Sequence, residues 1–582
     1  MQYKVRFIFI IIAVIAAFAG LGVRLAFLHL KPAPQTLARI DRARRMETEI
    51  RGPRGNIYDR EGQILAMDVG ARHICVDPKF IFQHGDSQKI LEALDAHLPL
   101  NRTEIWKLLN QPEKQYVRIY RFAREQTVAE LRAMNLGRGV MFEDAPVRNY
   151  PKGVLGAHVI GFANQEGIGS SGIEMQMNSQ LQGTPGMRSG LADGRRREIY
   201  STREKDIPPV PGANVYLTLD QQIQYFTEKA LDALNEKYKP RGGACAIVQN
   251  IRTGEILAMA SLPTFDLNRF GTAPEEWMRN RAINFVYEPG STMKAVIIAS
   301  ALDAGVVKPT DMYDCEKGIW YYGGRPLRDS HPEGVLSVAD IIKKSSNIGA
   351  AKIALQMGDE NVYRCMRNFG FGARTGVGLS GEDAGIVWPV NKWSKISITR
   401  LAMGHEVLVS TIQMISAFSA IANDGVQMKP YVVSKVSDAN GKIIREYKPE
   451  EAGRPIKPET AKLMRRLLAR VTQPGGTGTR GALQGYMVAG KTGTAQKVDL
   501  ENGGYLKNRY ISSFVGFLPV ENPVISIIVV ADDPQGGGYG GTVCAPYFQE
   551  IAEQTVRYLR IPPEGFPTEY IHTPQTAQMR NF

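Results

Sequence analysis

The chain has 582 residues, several domains' worth, and its 43% hydrophobic and 22% charged residues are an ordinary globular balance with ample core material. The net charge of +13 is spread along the chain with one dense cluster at Arg195-Arg196-Arg197; with no zinc knuckle or aromatic RNA-binding motif beside it, this excludes a nucleic-acid partner and fits a solvated surface near anionic lipid or polymer. Cys75, Cys245, Cys315, Cys365 and Cys544 are odd in number and widely spaced, giving no disulfide framework, and the eight histidines show no HExxH or paired spacing, so neither metal nor cofactor is expected.

From Phe7 to Val23 every residue is apolar or glycine, and Leu25-Ala26-Phe27-Leu28 extends the run past Arg24. This predicts one spanning helix over 7–28, with Arg24 snorkelling to the interface. Ala17-Phe18-Ala19 resembles a signal cleavage site, but the run continues beyond it, which favours a retained anchor. Lys4 and Arg6 precede the span while Lys31, Arg39, Arg42, Arg44 and Arg45 follow it, against a simple positive-inside count. Long domains translocate largely regardless of charge, so residues 1–6 are read as cytoplasmic and those after about 29 as outside.

Residues 29–212 mix short strands and helices with a polar, glycine-rich stretch from Gly183 to Gly194, as an elongated pedestal would, and Pro208-Pro209-Val210-Pro211-Gly212 marks its end. A second domain, 213–562, opens with an amphipathic helix at Gln221 to Tyr238. Ala244 to Gln249 and Glu255 to Ala260 flank Asn250 to Gly254 as a hairpin. After the breaker Glu288-Pro289-Gly290, the almost wholly apolar stretch from Ser291 to about Leu302, stopping near Gly305, predicts a buried helix. Strands are expected at Lys491 to Ala495, Ile511 to Leu518 and Val524 to Ala531, a last helix at about Ala545 to Leu559, and a tail without periodicity over 563–582. The pattern is α+β, an antiparallel sheet packed by helices.

Three clusters carry chemistry: Ser291-Thr292-Met293-Lys294, Ser345-Ser346-Asn347 and Lys491-Thr492-Gly493-Thr494. Each is weak alone, since Ser-x-x-Lys is expected about twice by chance in a chain this long and Lys-Thr-Gly about once in ten such chains. Singly they read as a helix cap with a solvated lysine, a capping turn, and a strand turning at glycine; together and in this order they supply the parts of serine acyl transfer. Ser291 in the first turn of a helix has free N–H groups beside it, and Lys294, three residues on, shares its face. Burial, and a second cation such as Lys491, push Lys294 toward the neutral base. Ser345 can relay a proton and Asn347 can hold Lys294 and a substrate amide. Lys491, Thr492 and Thr494 suit a carboxylate, Gly493 leaves the approach clear, and the backbone N–H groups of Ser291 and Thr494 suit an oxyanion.

This ordered set resembles that of the class B penicillin-binding proteins, the peptidoglycan D,D-transpeptidases. The likeness extends to Arg54-Gly55-Asn56-Ile57-Tyr58-Asp59-Arg60-Glu61-Gly62 with Leu65-Ala66, and to Gly172-Ile173-Glu174 with Leu181 and Gly183, which are similar to N-terminal motifs of the family. It implies an anchored pedestal followed by a transpeptidase domain, Ser291 as acylated nucleophile, Lys294 as base, and the D-Ala-D-Ala end of a stem peptide as substrate, with an amine on an acceptor strand. It also implies covalent binding of β-lactams, a SEDS-family glycan polymerase and other division proteins as partners, and a single-pass place in the inner membrane with the catalytic domain outside. Tyr539-Gly540-Gly541-Thr542-Val543-Cys544-Ala545-Pro546-Tyr547-Phe548 is similar to the division-specific branch, where a small residue usually stands in place of Cys544, and implies septal wall synthesis. No acidic pair resembling a glycosyltransferase module is present, which opposes a bifunctional class A enzyme. Two other readings use the same residues. A β-lactam hydrolase or sensor would lack the expected Glu-x-x-Leu-Asn element, and a non-catalytic division scaffold is opposed by the intact set.

Overall fold

The computed structural model describes residues 2–30, 35, 44–191, 199–499 and 503–564. The Arg195–Arg197 cluster, Lys31, Arg39, Arg42 and nearly all of the 563–582 tail lie outside them. The apolar run lies within one helix, α1 (Gln2–Leu30), exposed from Tyr3 onward. At about 1.5 Å per residue it is roughly 43 Å long, more than the ~30 Å of a bilayer's hydrocarbon. Among the described residues it is the one helix long and apolar enough to cross.

The chain divides into two compact units, 1–53 with 182–212, and 54–181 with 213–582. This differs from a linear division at 212, and the reason lies in strand pairing. Ile57–Tyr58 pairs in parallel with Asn214–Leu217, which pairs on its other side with Val433–Ser437, so the segment after Arg54 shares a six-stranded sheet with the later part of the chain. The first unit holds a three-stranded antiparallel sheet with Gly186–Leu191 between Arg45–Ile50 and Lys205–Ile207. Within the second unit, Ala71–Val76, Val117–Arg124 and Val140–Asp144 form a small sheet whose Ile74 and Val76 pack with Ile90, Leu94, Ile105 and Leu109 from flanking helices, a core of its own.

The elements that position the candidate site run in chain order as α2 (Gln221–Tyr238), β1 (Ala244–Asn250), β2 (Ile256–Leu262), α3 (Met293–Asp303), α4 (Val338–Lys344), α5 (Asn347–Met357), α6 (Thr411–Ala422), β3 (Ala489–Val498), β4 (Tyr505–Leu518), β5 (Ile525–Asp532) and α7 (Ala545–Tyr558). The five strands form one antiparallel sheet in the order β2-β1-β5-β4-β3. Their side chains alternate between two apolar surroundings. Ala246, Val248, Ile527 and Val529 face α2 and α7, while Ile247, Ile528 and Val530 join Val296, Ile297 and Phe418 of α3 and α6. With both faces covered, the strands are near-continuous apolar runs rather than alternating ones. The β1–β2 turn closes as its residues dictate: Asn250 Oδ1 accepts the N–H groups of Arg252 and Thr253 at 3.0 and 3.3 Å. Asp220 caps α2, accepting from Gln222 and Ile223 N–H at 2.9 and 3.2 Å.

The two N-terminal motifs meet in a buried ionic cluster. Arg54 Nε and Arg148 Nε each donate to Glu174 at 2.6 Å, and Asp68 accepts from the Arg54 backbone at 2.9 Å and from Arg148 Nη1 at 3.2 Å. Removing one member of such a cluster leaves charges uncompensated, which costs about 3–5 kcal/mol. Glu174→Ala is therefore expected to lower the thermal unfolding midpoint by several degrees in scanning calorimetry, whereas Glu61→Ala, at an exposed position, leaves it within about a degree.

Candidate active site

The turn before α3 is built for close approach. Gly290 to Thr292 form a single 3-10 turn running into α3, with Thr292 Oγ1 donating to Pro289 O at 2.9 Å. Gly290 has φ of +59° and donates its N–H to Gly404 O at 3.2 Å. A Cβ there would lie 2.9 Å from Thr494 O, so the glycine lets β3 come against the serine turn. Glu288, buried at the foot of the turn, accepts from Glu406 N–H at 2.8 Å and from the Tyr505 hydroxyl at 3.2 Å, and its other oxygen lies 2.8 Å from His405 Nδ1. These partners come from more than a hundred residues away, and nothing in the spacing of the histidines marks His405 out.

Lys294 is wholly buried on a helix whose other buried residues are all apolar. Its ammonium has three N–H groups and three acceptors: Ser345 O at 2.6 Å, Asn347 Oδ1 at 2.6 Å and Ser345 Oγ at 3.3 Å. Burial pulls it down to about 7, opposed by the Asp329 carboxylate and then by Cys315. With its donors occupied in this way, Lys294 forms no hydrogen bond with the Ser291 hydroxyl, and among the described residues that half-buried hydroxyl has no hydrogen-bond partner. Lys294 thus shares a helix face with Ser291 while its hydrogen bonds go to the second cluster.

Lys491, on β3, is equally buried and donates to Ser345 Oγ at 2.8 Å and to Thr492 O at 3.3 Å. Burial, and then the charge on Lys294, hold it well below the usual lysine range. Ser345 itself sits in the left-handed region at φ +61°, ending α4, which turns its side chain between the two amines. Asn347 begins α5, and its Nδ2 donates to Arg328 O at 2.7 Å.

The third cluster lies on β3, one of the two edge strands of the sheet, where backbone groups are left for a ligand. Gly493 is forced by its surroundings, since a Cβ would stand 2.2 Å from Ser513 Oγ and 2.9 Å from Pro289 O. The Thr494 hydroxyl accepts Gly540 N–H at 3.1 Å, and the Thr492 hydroxyl lies 3.0 Å from that of Thr477. The 539–548 segment thus packs directly on the third cluster. Asp329 and Thr477 are site neighbours that sequence reading missed, and Glu288, three residues before Ser291, was read only as part of a breaker. The five cysteines are free and buried.

Residues 244–553 match the family described as Penicillin binding protein transpeptidase domain, and residues 49–217 the Penicillin-binding Protein dimerisation domain. The chain belongs to the class B penicillin-binding proteins. It is 32% identical over 563 residues to a probable peptidoglycan D,D-transpeptidase PenA of Neisseria meningitidis, covering 96% of this chain and 93% of that one. It is 30% identical over 570 residues to the peptidoglycan D,D-transpeptidase FtsI of Escherichia coli K12, covering 97% and 93%. The structure of penicillin binding protein 3 from Mycobacterium tuberculosis complexed with aztreonam superposes with a TM-score of 0.69 at 27% identity, over 89% of this chain and 98% of that one. This penicillin-binding protein is accordingly a serine-type transpeptidase of α+β fold, and its three clusters converge around the Ser345 hydroxyl.

Gly493→Ala is expected to displace β3 from the serine turn and to reduce acylation on the order of a hundredfold, since misplacements near 1 Å cost that much. Stopped-flow rates of acylation, beside a circular-dichroism check of folding, measure this.

Proposed function

We propose that this class B penicillin-binding protein cross-links peptidoglycan, with Ser291 as the nucleophile and Lys294 as its base. The observation that carries the reading is the Ser345 hydroxyl, within 2.8 Å of one buried lysine and 3.3 Å of the other. In the free enzyme at neutral pH a substantial fraction of Lys294 is neutral. Ser291 Oγ attacks the carbonyl of the penultimate D-Ala of a stem peptide, and its proton passes to Lys294. The oxyanion takes the backbone N–H groups of Ser291 and Thr494. Collapse breaks the peptide bond, and the departing D-Ala amine takes a proton relayed from Lys294 through Ser345. The Lys491 ammonium, with Thr492 and Thr494, holds the terminal carboxylate, Gly493 keeps the strand close, and Asn347 holds the substrate amide. An acceptor-strand amine then attacks the acyl-enzyme and restores Ser291.

β-Lactams mimic the D-Ala-D-Ala end and acylate the same serine, as the aztreonam complex of the mycobacterial relative supports. The α1 helix anchors the protein in the inner membrane, with residues 1–6 cytoplasmic, and the pedestal and transpeptidase domains stand outside it. The packing of Tyr539 to Phe548 on the third cluster, together with its likeness to the division-specific branch, supports a septal role beside a SEDS-family polymerase and other division proteins. A fluorescent fusion is expected at midcell; distribution along the side wall would exclude the septal role.

Intact-protein mass spectrometry after benzylpenicillin is expected to show one long-lived adduct on the parent protein and none on Ser291→Ala. Rapid drug turnover without an adduct would mean a hydrolase instead. Because the neutral amine is the base, the acylation rate is expected to rise with pH through a midpoint at about 7 and to fall progressively below it, as protonation of Lys294 removes the base. A pH series of single-turnover rates measures this.

A further inference from the structure

The hairpin of Ile319–Tyr322 paired with Arg325–Arg328 ends against the second cluster: Arg328 O accepts the Asn347 side-chain N–H at 2.7 Å, and Asp329 Oδ1 accepts the Ile348 N–H at 3.0 Å. Side chains alternate along a strand, and Leu327 packs inward with Cys315, Ile348 and Ala351, so its neighbour Arg328 points the other way, into solvent. A second arginine reaches the same hairpin from the short helix Ser397–Leu401, whose other residues are all buried. Arg400 Nη2 donates to Pro326 O at 3.3 Å, and the Arg400 carbonyl accepts the His405 N–H at 3.0 Å, in the loop whose Gly404 holds the serine turn. Its guanidinium also lies near enough to Tyr505 to oppose the upward shift that burial, and then Glu288, impose on that hydroxyl. Arg400 therefore joins the rim of the second cluster to the foot of the first.

Among the described residues neither guanidinium forms an ion pair; Arg400 uses one of its N–H donors on Pro326 O, and Arg328 uses none. Pro326 and Arg328 are two residues apart on one strand, about 7 Å, so a single peptide side chain can meet both cations. Asn347 holds the amide inward of the reacting bond, and Arg328 O holds Asn347, so the donor peptide inward of that amide leaves past these two arginines. We propose that Arg400 and Arg328 form a second anion site, which takes a carboxylate that the donor peptide carries inward of its D-Ala-D-Ala end, and so selects donors in which that carboxylate is free rather than amidated. The inference rests on the reading of Ser291 as nucleophile and of the D-Ala-D-Ala end as donor. A guanidinium engages a carboxylate through two parallel charge-assisted hydrogen bonds, whereas a carboxamide offers one acceptor and no charge. With the terminal carboxylate on Lys491, Thr492 and Thr494, the donor is gripped at two points on either side of the bond that breaks.

The test compares thioester donors on the full chain in detergent. Each is a D-Ala thioglycolate, made in a pair that differs in one group on the residue inward of the D-Ala, a free carboxylate or its carboxamide. A second pair carries that group one residue farther in, which separates the two places from which such a carboxylate could come. Ser291 Oγ attacks the thioester carbonyl, its proton passes to Lys294, the C–S bond breaks, and the released thiol is measured. In the parent, kcat/KM is expected to favour the free carboxylate about fivefold in one of the pairs, the size of a solvent-exposed ion pair, and the preference is expected to shrink as salt is added. Arg400→Gln and Arg328→Gln are each expected to lower the ratio, and the double variant to bring it to about one. Both donors of a pair are read on the same protein, so a change in folding or in the chemistry itself cancels in the ratio. A parent ratio of one or less in both pairs would overturn the proposal, as would a preference that persists in the double variant. Should the double variant fail to fold, the single variants decide, and an unmoved ratio in both sinks the idea. Enzyme-dependent thiol release that survives in Ser291→Ala, or a parent inert to all the donors, would instead overturn the underlying reading of nucleophile and donor.

Discussion

Two buried lysine amines meet on one half-buried serine hydroxyl, and the architecture around them is what makes that possible. Two like charges cannot both persist at that separation in a buried site, so at least one amine must be neutral near pH 7. A free lysine titrates more than three units higher. Bringing Lys294 into the right range therefore requires a dry surrounding, supplied by the apolar α3 and the sheet it covers, and enough polar contacts that a buried amine is not left unpaired. Ser345 serves both lysines at once, which is why its backbone is held in a conformation that non-glycine residues rarely adopt.

The five-stranded sheet answers the same constraint from the other side. Its interior strands are covered on both faces by helices and can be almost wholly apolar, whereas β3 has a neighbour on one side alone. The reactive cluster sits on that strand because an edge is where backbone donors are free to meet a ligand. Two glycines, Gly290 and Gly493, remove the Cβ atoms that would keep this strand from the serine turn. Rigid packing behind and an open edge in front let one element be both scaffold and part of the site.

Farther along the chain, the Arg54, Arg148, Glu174 and Asp68 cluster ties the two N-terminal motifs to each other. Its members are spread from residue 54 to residue 174, and the segment they stabilise shares a sheet with the strands Asn214–Leu217, Val433–Ser437 and Ile443–Glu446. Each motif reads as turn chemistry in isolation. Ion pairing in a buried place gives them a common purpose.

Much was legible in the order of residues: the spanning helix from an unbroken apolar run, α2 from its amphipathic spacing, the β1–β2 hairpin from Asn250 and Gly254, and the acyl-transfer set from three clusters whose order and spacing are informative only jointly. These are local signals, a period of 3.6 or 2, a cap, or a motif a few residues long. What tertiary structure alone decided is which groups face one another. Asp329 behind Asn347, His405 and Tyr505 on Glu288, Lys294 engaged by Ser345 and Asn347 rather than Ser291, and residues 54–181 packing with the later part of the chain all depend on contacts between distant segments. Hydrogen bonds and burial act over a few ångströms of space whatever the distance along the chain, so a sequence names the reactive groups while the packed fold sets their partners and their charge.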